Sequence, residues 1–375
     1  MSNNKIKLLT VIGARPQLMK AAMLSKSIDM SDDFNEILVH TGQHYDPAMS
    51  SSIISELFNR KPDYFLNSGG KDEISMTAYI LEQTKKLILK ENPNYIVVYG
   101  DTTSTLAVAL AAKKLHIPLI HVESGVRNYD LSMPEEFNRI VVDRISDINI
   151  CVTEHSFENL RREAFVTKEI PGMVTVCGDL MLDCFKFFQS HISKSLSSIL
   201  TQNGLNTKNY ILFTIHRQSN VDNKESLKNI VKALNKIHSH IPVLIPLHHR
   251  TRMRLEQFNL KLECCVIDPV SYLDSLSLLR DCKFVITDSG GLVREAFFAK
   301  KVSLSILEDA VWPEISNLKA SVNTRPNTEE IEAKFLEMSN LEPDFKKLIF
   351  GNGDAAKKIL TDIRLHFSKV KLKNE

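Results

Sequence analysis

Long apolar runs are missing from this chain of 375 residues. Stretches such as Tyr95–Tyr99 and Ile211–Phe213 fall far short of the ~20 residues that span a bilayer. Charge of one sign is missing too: 47 Lys and Arg face 45 Asp and Glu, a formal net charge of +2. That balance excludes bulk nucleic acid or an anionic membrane as the main partner, and leaves room for a small anionic ligand held by a few basic groups. The six cysteines include no Cys-x-x-Cys pair and sit mostly in apolar contexts. They read as buried free thiols of a reducing cytoplasm, not disulfides or a zinc site. No Gly-x-Gly-x-x-Gly follows a strand, so bound NAD is not supported, and no P-loop signature occurs. The adjacent His248 and His249 lack a ligand set such as His-Glu-x-x-His, so no metal is expected. The apolar run after Lys5 and Lys7 is too short for a secretory signal and leads straight into Arg15; it reads as a first buried strand.

What is present is an alternation of strands and helices from end to end. Strand-like runs lie at Lys5–Ala14, Glu36–Thr41, Tyr95–Gly100, Pro118–Glu123, Asn149–Val152 and Val174–Cys177. Several are continuously apolar, as strands covered on both faces are. Helical patterns at Gln17–Ile28, Ile74–Lys90, Ser104–Leu115 and Glu135–Ile145 separate them. The second half repeats this with strands at Tyr210–Thr214, Val243–Pro246, Cys265–Ile267, Phe284–Thr287 and Val302–Ile306, then helices near Thr328–Met338 and Ala355–Phe367. Such βαβ units imply doubly wound parallel sheets, and the length implies two domains. We expect an N-terminal domain over residues 1–188, a polar, Ser-rich linker at 189–209 and a C-terminal domain over 210–354. The last helix and tail, 355–375, can pack back on the N-terminal domain, with 369–375 frayed. Two such domains in tandem predict a cleft faced by strand C-termini.

Polar residues gather where strands end. In the first half these are Gly13-Ala14-Arg15-Pro16 with Lys20 one turn on, Gly100-Asp101-Thr102-Thr103, His121-Val122-Glu123-Ser124-Gly125 and Met133-Pro134-Glu135-Glu136-Phe137-Asn138-Arg139. Asp101 and Glu123 are one strand–helix repeat apart, and Glu135 opens the next helix. Three carboxylates on one rim can supply a base on one face of a substrate and an acid on the other. Taken singly, each has an ordinary reading: Asp101 as an N-cap, Glu135 and Glu136 as acidic residues favouring a helix start. The second half adds Thr214-Ile215-His216-Arg217 and Asp288-Ser289-Gly290-Gly291, which opens a helix whose amides suit a phosphate, with Glu295 one turn in, placed for ribose hydroxyls. The residues alone give a two-domain α/β enzyme with a diphosphate site and candidate acid–base carboxylates.

In combination these motifs resemble the non-hydrolysing UDP-N-acetylglucosamine 2-epimerase family, from about Lys7 to Ala356. The resemblance rests on Gly-Ala-Arg-Pro-Gln at 13–17, Thr-Gly-Gln-His at 41–44, Gly-Asp-Thr-Thr-Ser-Thr at 100–105 and His-Val-Glu-Ser-Gly at 121–125. It continues in Pro-Glu-Glu at 134–136, His-Arg at 216–217, Asp-Ser-Gly-Gly at 288–291 and Gly-Asn-Gly-Asp at 351–354. It implies a GT-B-like fold of two Rossmann-like domains. It further implies Asp101, Glu123, Glu135 and His216 as catalytic residues. Arg15, His216, Ser289 and Gly290 would hold the diphosphate, and Glu295 the ribose. Lys20, Gln43, Arg139, His248 and Gly291 would be further substrate contacts. The implied reaction is inversion at C2 of a UDP-linked 2-acetamido sugar, UDP-GlcNAc to UDP-ManNAc, through a bound 2-acetamidoglucal and without a cofactor. The implied setting is a cytoplasmic homodimer feeding surface polysaccharide.

The chain departs from the family's pattern in two places. Leu307-Glu308-Asp309-Ala310-Val311-Trp312-Pro313-Glu314 lacks the Arg and Thr residues that many members carry before their Pro-Glu pair. Tyr45-Asp46 follows Gln43-His44, where members with an allosteric UDP-sugar site tend to have Arg, so no substrate-activated allostery is expected. The His-Thr-Gly-Gln-His and Met-Pro-Glu-Glu forms also resemble a branch acting on UDP-2,3-diacetamido-2,3-dideoxyglucuronate, which is the alternative for the sugar. A hydrolysing epimerase, a GT-B glycosyltransferase and a UDP-sugar-binding protein without catalysis complete the alternatives.

Overall fold

The computed structural model describes residues 5–43, 57–58, 60–163, 172–192 and 198–374. The chain divides into two units, 1–184 with 349–375, and 185–348.

The first unit runs β1 (Ile6–Ile12), α1 (Arg15–Asp29), β2 (Phe34–His40), β3 (Tyr64–Phe65), α2 (Glu73–Glu91), β4 (Tyr95–Tyr99), α3 (Thr103–Lys114), β5 (Leu119–Ser124), α4 (Pro134–Ile145), β6 (Ile148–Cys151), α5 (Glu154–Arg162), β7 (Met173–Val176) and the start of α6 (Leu180–Gln189). Its strands form one parallel sheet in the order β3-β2-β1-β4-β5-β6-β7. The continuous apolar run of β4 is explained: all five of its residues are buried at the sheet centre. Helix ends follow local chemistry. Asp72 caps α2 by accepting from the Ile74 and Ser75 amides, and Asn92 closes that helix in the left-handed region at φ 45°.

The second unit contains α7 (Ser198–Gln202), β8 (Ile211–Thr214), α8 (Gln218–Val221), α9 (Lys224–His238), β9 (Val243–Pro246), α10 (His249–Gln257), β10 (Cys265–Ile267), α11 (Tyr272–Asp281), β11 (Phe284–Thr287), α12 (Gly290–Phe298), β12 (Ser303–Ser305), α13 (Pro313–Asn317), β13 (Ser321–Asn323) and α14 (Thr328–Met338). Its sheet is parallel in the order β10-β9-β8-β11-β12-β13. The core packs α9 residues Leu227, Ile230, Leu234 and Ile237 against β8, β9 and β12. Both strand orders reverse next to the first strand of the unit, between β1 and β4 and between β8 and β11, where ligands bind in doubly wound sheets.

The last helix, α15 (Ala355–Asn374), belongs to the first unit. Asp183 accepts from the Ala355 and Ala356 amides at its start (3.2 and 2.9 Å). Further along, Tyr95 meets His366 Nδ1 at 2.8 Å and Arg364 donates to Asp33 at 2.7 Å. Just before it, a Cβ on Gly178 would stand 2.8 Å from the Phe350 carbonyl oxygen, so only glycine allows that backbone approach. The helix extends through 369–374, expected to be frayed; Lys, Val and Leu without Gly or Pro sustain it. The stretch expected as a linker carries α7, with Leu200 buried. The very short β3 and β13 were not legible as strands.

Candidate functional site

In the first unit the β1–α1 and β4–α3 turns are tied by one side chain. Gln17 accepts from the Gly13 and Ala14 amides (2.7 and 3.1 Å) and donates to the Tyr99 carbonyl, Thr102 and Thr105 (2.6, 3.0 and 2.9 Å). Gly13 is needed because a Cβ there would lie 2.4 Å from Thr41 Oγ1 and 2.5 Å from Ser104 Oγ. Gln43 Oε1 accepts from the amide and hydroxyl of Ser104 (3.0 and 2.7 Å), so this oxygen of the expected substrate contact braces the start of α3. Arg15 stands exposed at the first position of α1. His44, Tyr45 and Asp46, which carried the expectation about allostery, lie outside the described residues.

Glu123 has φ +74°, a left-handed conformation that L side chains rarely adopt and that costs about 1–3 kcal/mol. The register of β5 against β6 shifts across Val122 and Ser124, so Glu123 sits in a bulge. The bulge sets its carboxylate against Lys20, Nζ to Oε2 2.6 Å. Strain of this kind persists only where surrounding contacts over-determine it. Here they do. His121, fully buried, lies 2.6 Å from Asp143 Oδ1 through Nδ1 and 2.7 Å from the Gly100 carbonyl through Nε2. Asp143 Oδ2 also accepts from the Gly125 amide and Arg127 (3.1 and 2.7 Å). Burial opposes the Asp143 charge, yet His121 and Arg127 hold its carboxyl below the usual range.

Asp101 pairs with Arg139, whose other arm donates to Glu136 Oε2 at 2.9 Å. Glu136, fully buried, uses Oε1 to take the Asn128 and Tyr129 amides (3.2 and 3.0 Å). Burial works against the Arg139 charge, but Asp101, Glu136 and Glu123 raise its pKa above the ordinary value. Glu135 is exposed on the first turn of α4. The structure thus brings Asp101, Arg139, Glu123 and Lys20 into one linked set and does not join the exposed Glu135 to it.

In the second unit the organising group is Asp288, fully buried after β11. It accepts from the His216 and Arg217 amides (3.1 and 2.9 Å) and from Asn220 (3.2 Å). It also meets His216 Nδ1 at 3.2 Å. Burial would raise its pKa, but His216, the Arg217 amide and Asn220 outweigh burial and lower it. The His216 ring, its side chain 55% exposed, is therefore fixed at one nitrogen and presented at the β8–β11 reversal. Ser289 caps α12 through Leu292, and Gly290 and Gly291 follow with free first-turn amides. A Cβ on Gly290 would come within 3.1 Å of Val311. Trp312 donates to the Gly290 carbonyl at 3.0 Å and carries Arg294 over its ring at 4.7 Å. The segment that departs from the family's pattern therefore packs an apolar wall onto the start of α12. Glu295 accepts from Tyr272 at 3.0 Å and is buried. His248 is exposed and caps α10 through Arg250, 3.4 Å.

Sequence reasoning missed the supporting roles of Gln17, His121, Glu136, Asp143 and Tyr272. The first three lie inside the quoted motifs, but the partners that matter lie 82–88 residues away for Gln17 and 21–22 for His121, and Glu136 takes the backbone amides of Asn128 and Tyr129, which no local pattern encodes. Among the described residues no group of three or more His, Cys, Asp or Glu is gathered as a metal set, and no helix is long and apolar enough to cross a membrane.

Two parallel-sheet units with polar groups collected at the strand-order reversals define the class, a GT-B-like α/β protein built from Rossmann-like units. Comparison with known proteins narrows it. A family model described as UDP-N-acetylglucosamine 2-epimerase matches residues 26–364. UDP-2,3-diacetamido-2,3-dideoxy-D-glucuronate 2-epimerase of Pseudomonas aeruginosa is 43% identical over 84% of this chain and 88% of its own. UDP-N-acetylglucosamine 2-epimerase of Methanocaldococcus jannaschii is 33% identical over 95% and 98%. The crystal structure of UDP-GlcNAc 2-epimerase from Methanocaldococcus jannaschii in complex with UDP-GlcNAc and UDP superposes with a TM-score of 0.86 at 32% identity, covering 96% of this chain and 99% of that one. A Rickettsia africae glycosyltransferase, at 17% identity and a TM-score of 0.60 over 99% and 100% of the two chains, shares the fold alone. The chain belongs to the UDP-N-acetylglucosamine 2-epimerase family, and it is an isomerase.

Proposed function

We propose that this protein inverts C2 of a UDP-linked 2-acetamido sugar, and that the sugar is 2,3-diacetamido-2,3-dideoxy-D-glucuronate. The C2 proton of such a sugar is not activated by a carbonyl, so direct removal is slow. Breaking the anomeric C–O bond first gives C1 cationic character and makes that proton removable. C1–O and C2–H break, C1=C2 forms, and the enzyme holds UDP beside a 2-acetamidoglycal. Return of a proton to the other face of C2 and of UDP to C1 completes the inversion. No electrons are exchanged, so no redox cofactor is needed.

The observation that carries this reading is Glu123, held in a strained bulge against Lys20 beside the Asp101–Arg139 pair. Asp101, Glu123 and Glu135 act in proton transfer, with Arg139 paired to Asp101 and Lys20 paired to Glu123. Arg15, His216 and the Ser289 and Gly290 amides stabilise the departing diphosphate, where negative charge develops. Glu295 takes the ribose, and Gln43, Gly291 and His248 line the substrate. The choice of sugar is supported by the 43% identity to the Pseudomonas aeruginosa enzyme. The second reading is UDP-GlcNAc, favoured by relatives so named at 33% identity.

Incubating the protein with each UDP-sugar in deuterated water, followed by NMR, tests both. Deuterium at C2 of the recovered diacetamido-glucuronate nucleotide, at a higher rate than for UDP-GlcNAc, is the expected result. Faster labelling of UDP-GlcNAc transfers the assignment to that sugar, and turnover without label rejects the mechanism.

A further inference from the structure

We infer that His121 is a positioning residue that holds two of the proposed catalytic carboxylates, Asp101 and Glu123, to one buried charge cluster. The inference rests on the C2 chemistry proposed above. His121 lies in a strand whose neighbours Leu119, Ile120 and Val122 are apolar and buried, as is the ring itself. Its two ring nitrogens face Asp143 Oδ1 and the Gly100 carbonyl oxygen, at 2.6 and 2.7 Å. A carbonyl oxygen only accepts. The Asp143 carboxylate also acts as acceptor, taking the Gly125 amide and Arg127 on its second oxygen. Each ring nitrogen must therefore donate, and the ring carries both hydrogens.

Those bonds go to places the sheet does not need for pairing. Gly100, with φ +60°, immediately precedes Asp101, so the Nε2 bond fixes the peptide plane from which Asp101 departs. Glu123 lies two residues after His121 and two before Gly125, and Asp143 binds both flanks. One carboxylate thereby clamps the chain on either side of the left-handed residue, and one imidazole passes that clamp to the neighbouring loop. Any buried histidine needs partners for its ring nitrogens; here those partners stand at the turns that carry Asp101 and Glu123.

The test compares wild type with His121→Asn, whose shorter amide can still donate to Asp143 but cannot also reach the Gly100 carbonyl. We expect kcat to fall about 10- to 100-fold with KM within about threefold, as misplacement of reacting groups produces, and the thermal transition to remain cooperative. A kcat within twofold of wild type, or a loss wholly in KM, overturns the inference. If the variant does not fold, the ring 15N spectrum of wild type decides. Two protonated nitrogens for the resonance coupled to Asp143 support the assignment, and a neutral tautomer overturns it. That spectrum needs no substrate, so it stands even if wild type fails to label C2 of either UDP-sugar, the result that defeats the functional reading instead.

Discussion

The ammonium of Lys20 and the carboxylate of Glu123 meet at 2.6 Å with only 4% and 14% of their side chains exposed. Breaking a pair this buried removes the counter-charge from a group already drawn from water. Lys20→Met should lower stability by about 3 kcal/mol in urea titration and reduce kcat at least tenfold, whereas Lys20→Arg should retain most of the stability. Equal stability of Lys20→Met and wild type would show that the pair contributes nothing to the fold.

The proton-transfer assignment makes a uniform demand. Asp101→Asn, Glu123→Gln and Glu135→Gln should each lower kcat by ~10²-fold or more, measured from initial rates of product formation by NMR. Near-normal rates in all three reject the carboxylate set. A normal rate in Glu135→Gln alone removes that exposed residue from it.

The backbone of Glu123 can be separated from its charge. Glu123→Ala and Glu123→Gly both remove the carboxylate, but glycine accepts φ +74° without the penalty of a Cβ. After allowance for glycine's greater chain entropy, Glu123→Gly should be the more stable of the two by about 0.5–1 kcal/mol. The reverse order in chemical denaturation would mean that the bulge relaxes once the carboxylate is gone.

Stability should also report His40. Its ring is fully buried against Phe65, at 4.9 Å between centroids, and Nδ1 accepts from the Gly42 amide at 2.9 Å, which only a neutral ring can do. Burial pushes its pKa down to about 4. The folded value lies below the unfolded one of ~6.5. As pH falls from about 6.5 towards 4, the unfolded chain takes up a proton that the folded chain refuses, and stability drops by on the order of 3 kcal/mol. The difference between wild type and His40→Gln isolates this effect. Glu36, whose carboxyl burial raises, titrates in both. Parallel pH curves for the two proteins would refute it.

How much could be read in advance varies with the physics involved. Strands such as Tyr95–Tyr99 were legible because burial on both faces removes every polar residue from the run. The residues at strand ends were legible because parallel sheets put function there. Which glutamate of Pro134-Glu135-Glu136 turns inward was not, since it depends on the phase of α4 against the sheet, and Glu136 is the buried one. The left-handed φ of Glu123 leaves no mark in the sequence, because glycine, the usual signal, is absent at that position. His121 reads only as a polar interruption of an apolar strand until Gly100 and Asp143 are beside it.

The return of α15 to the first unit has a consequence for how the chain is made. A ribosome delivers the seven strands of the first sheet early, but the helix that Asp183, Tyr95 and Asp33 hold emerges only after the whole second unit. At about 5–20 residues per second, the first unit waits on the order of ten seconds or more for its last piece. During that interval the α1 surface that α15 covers stays uncapped.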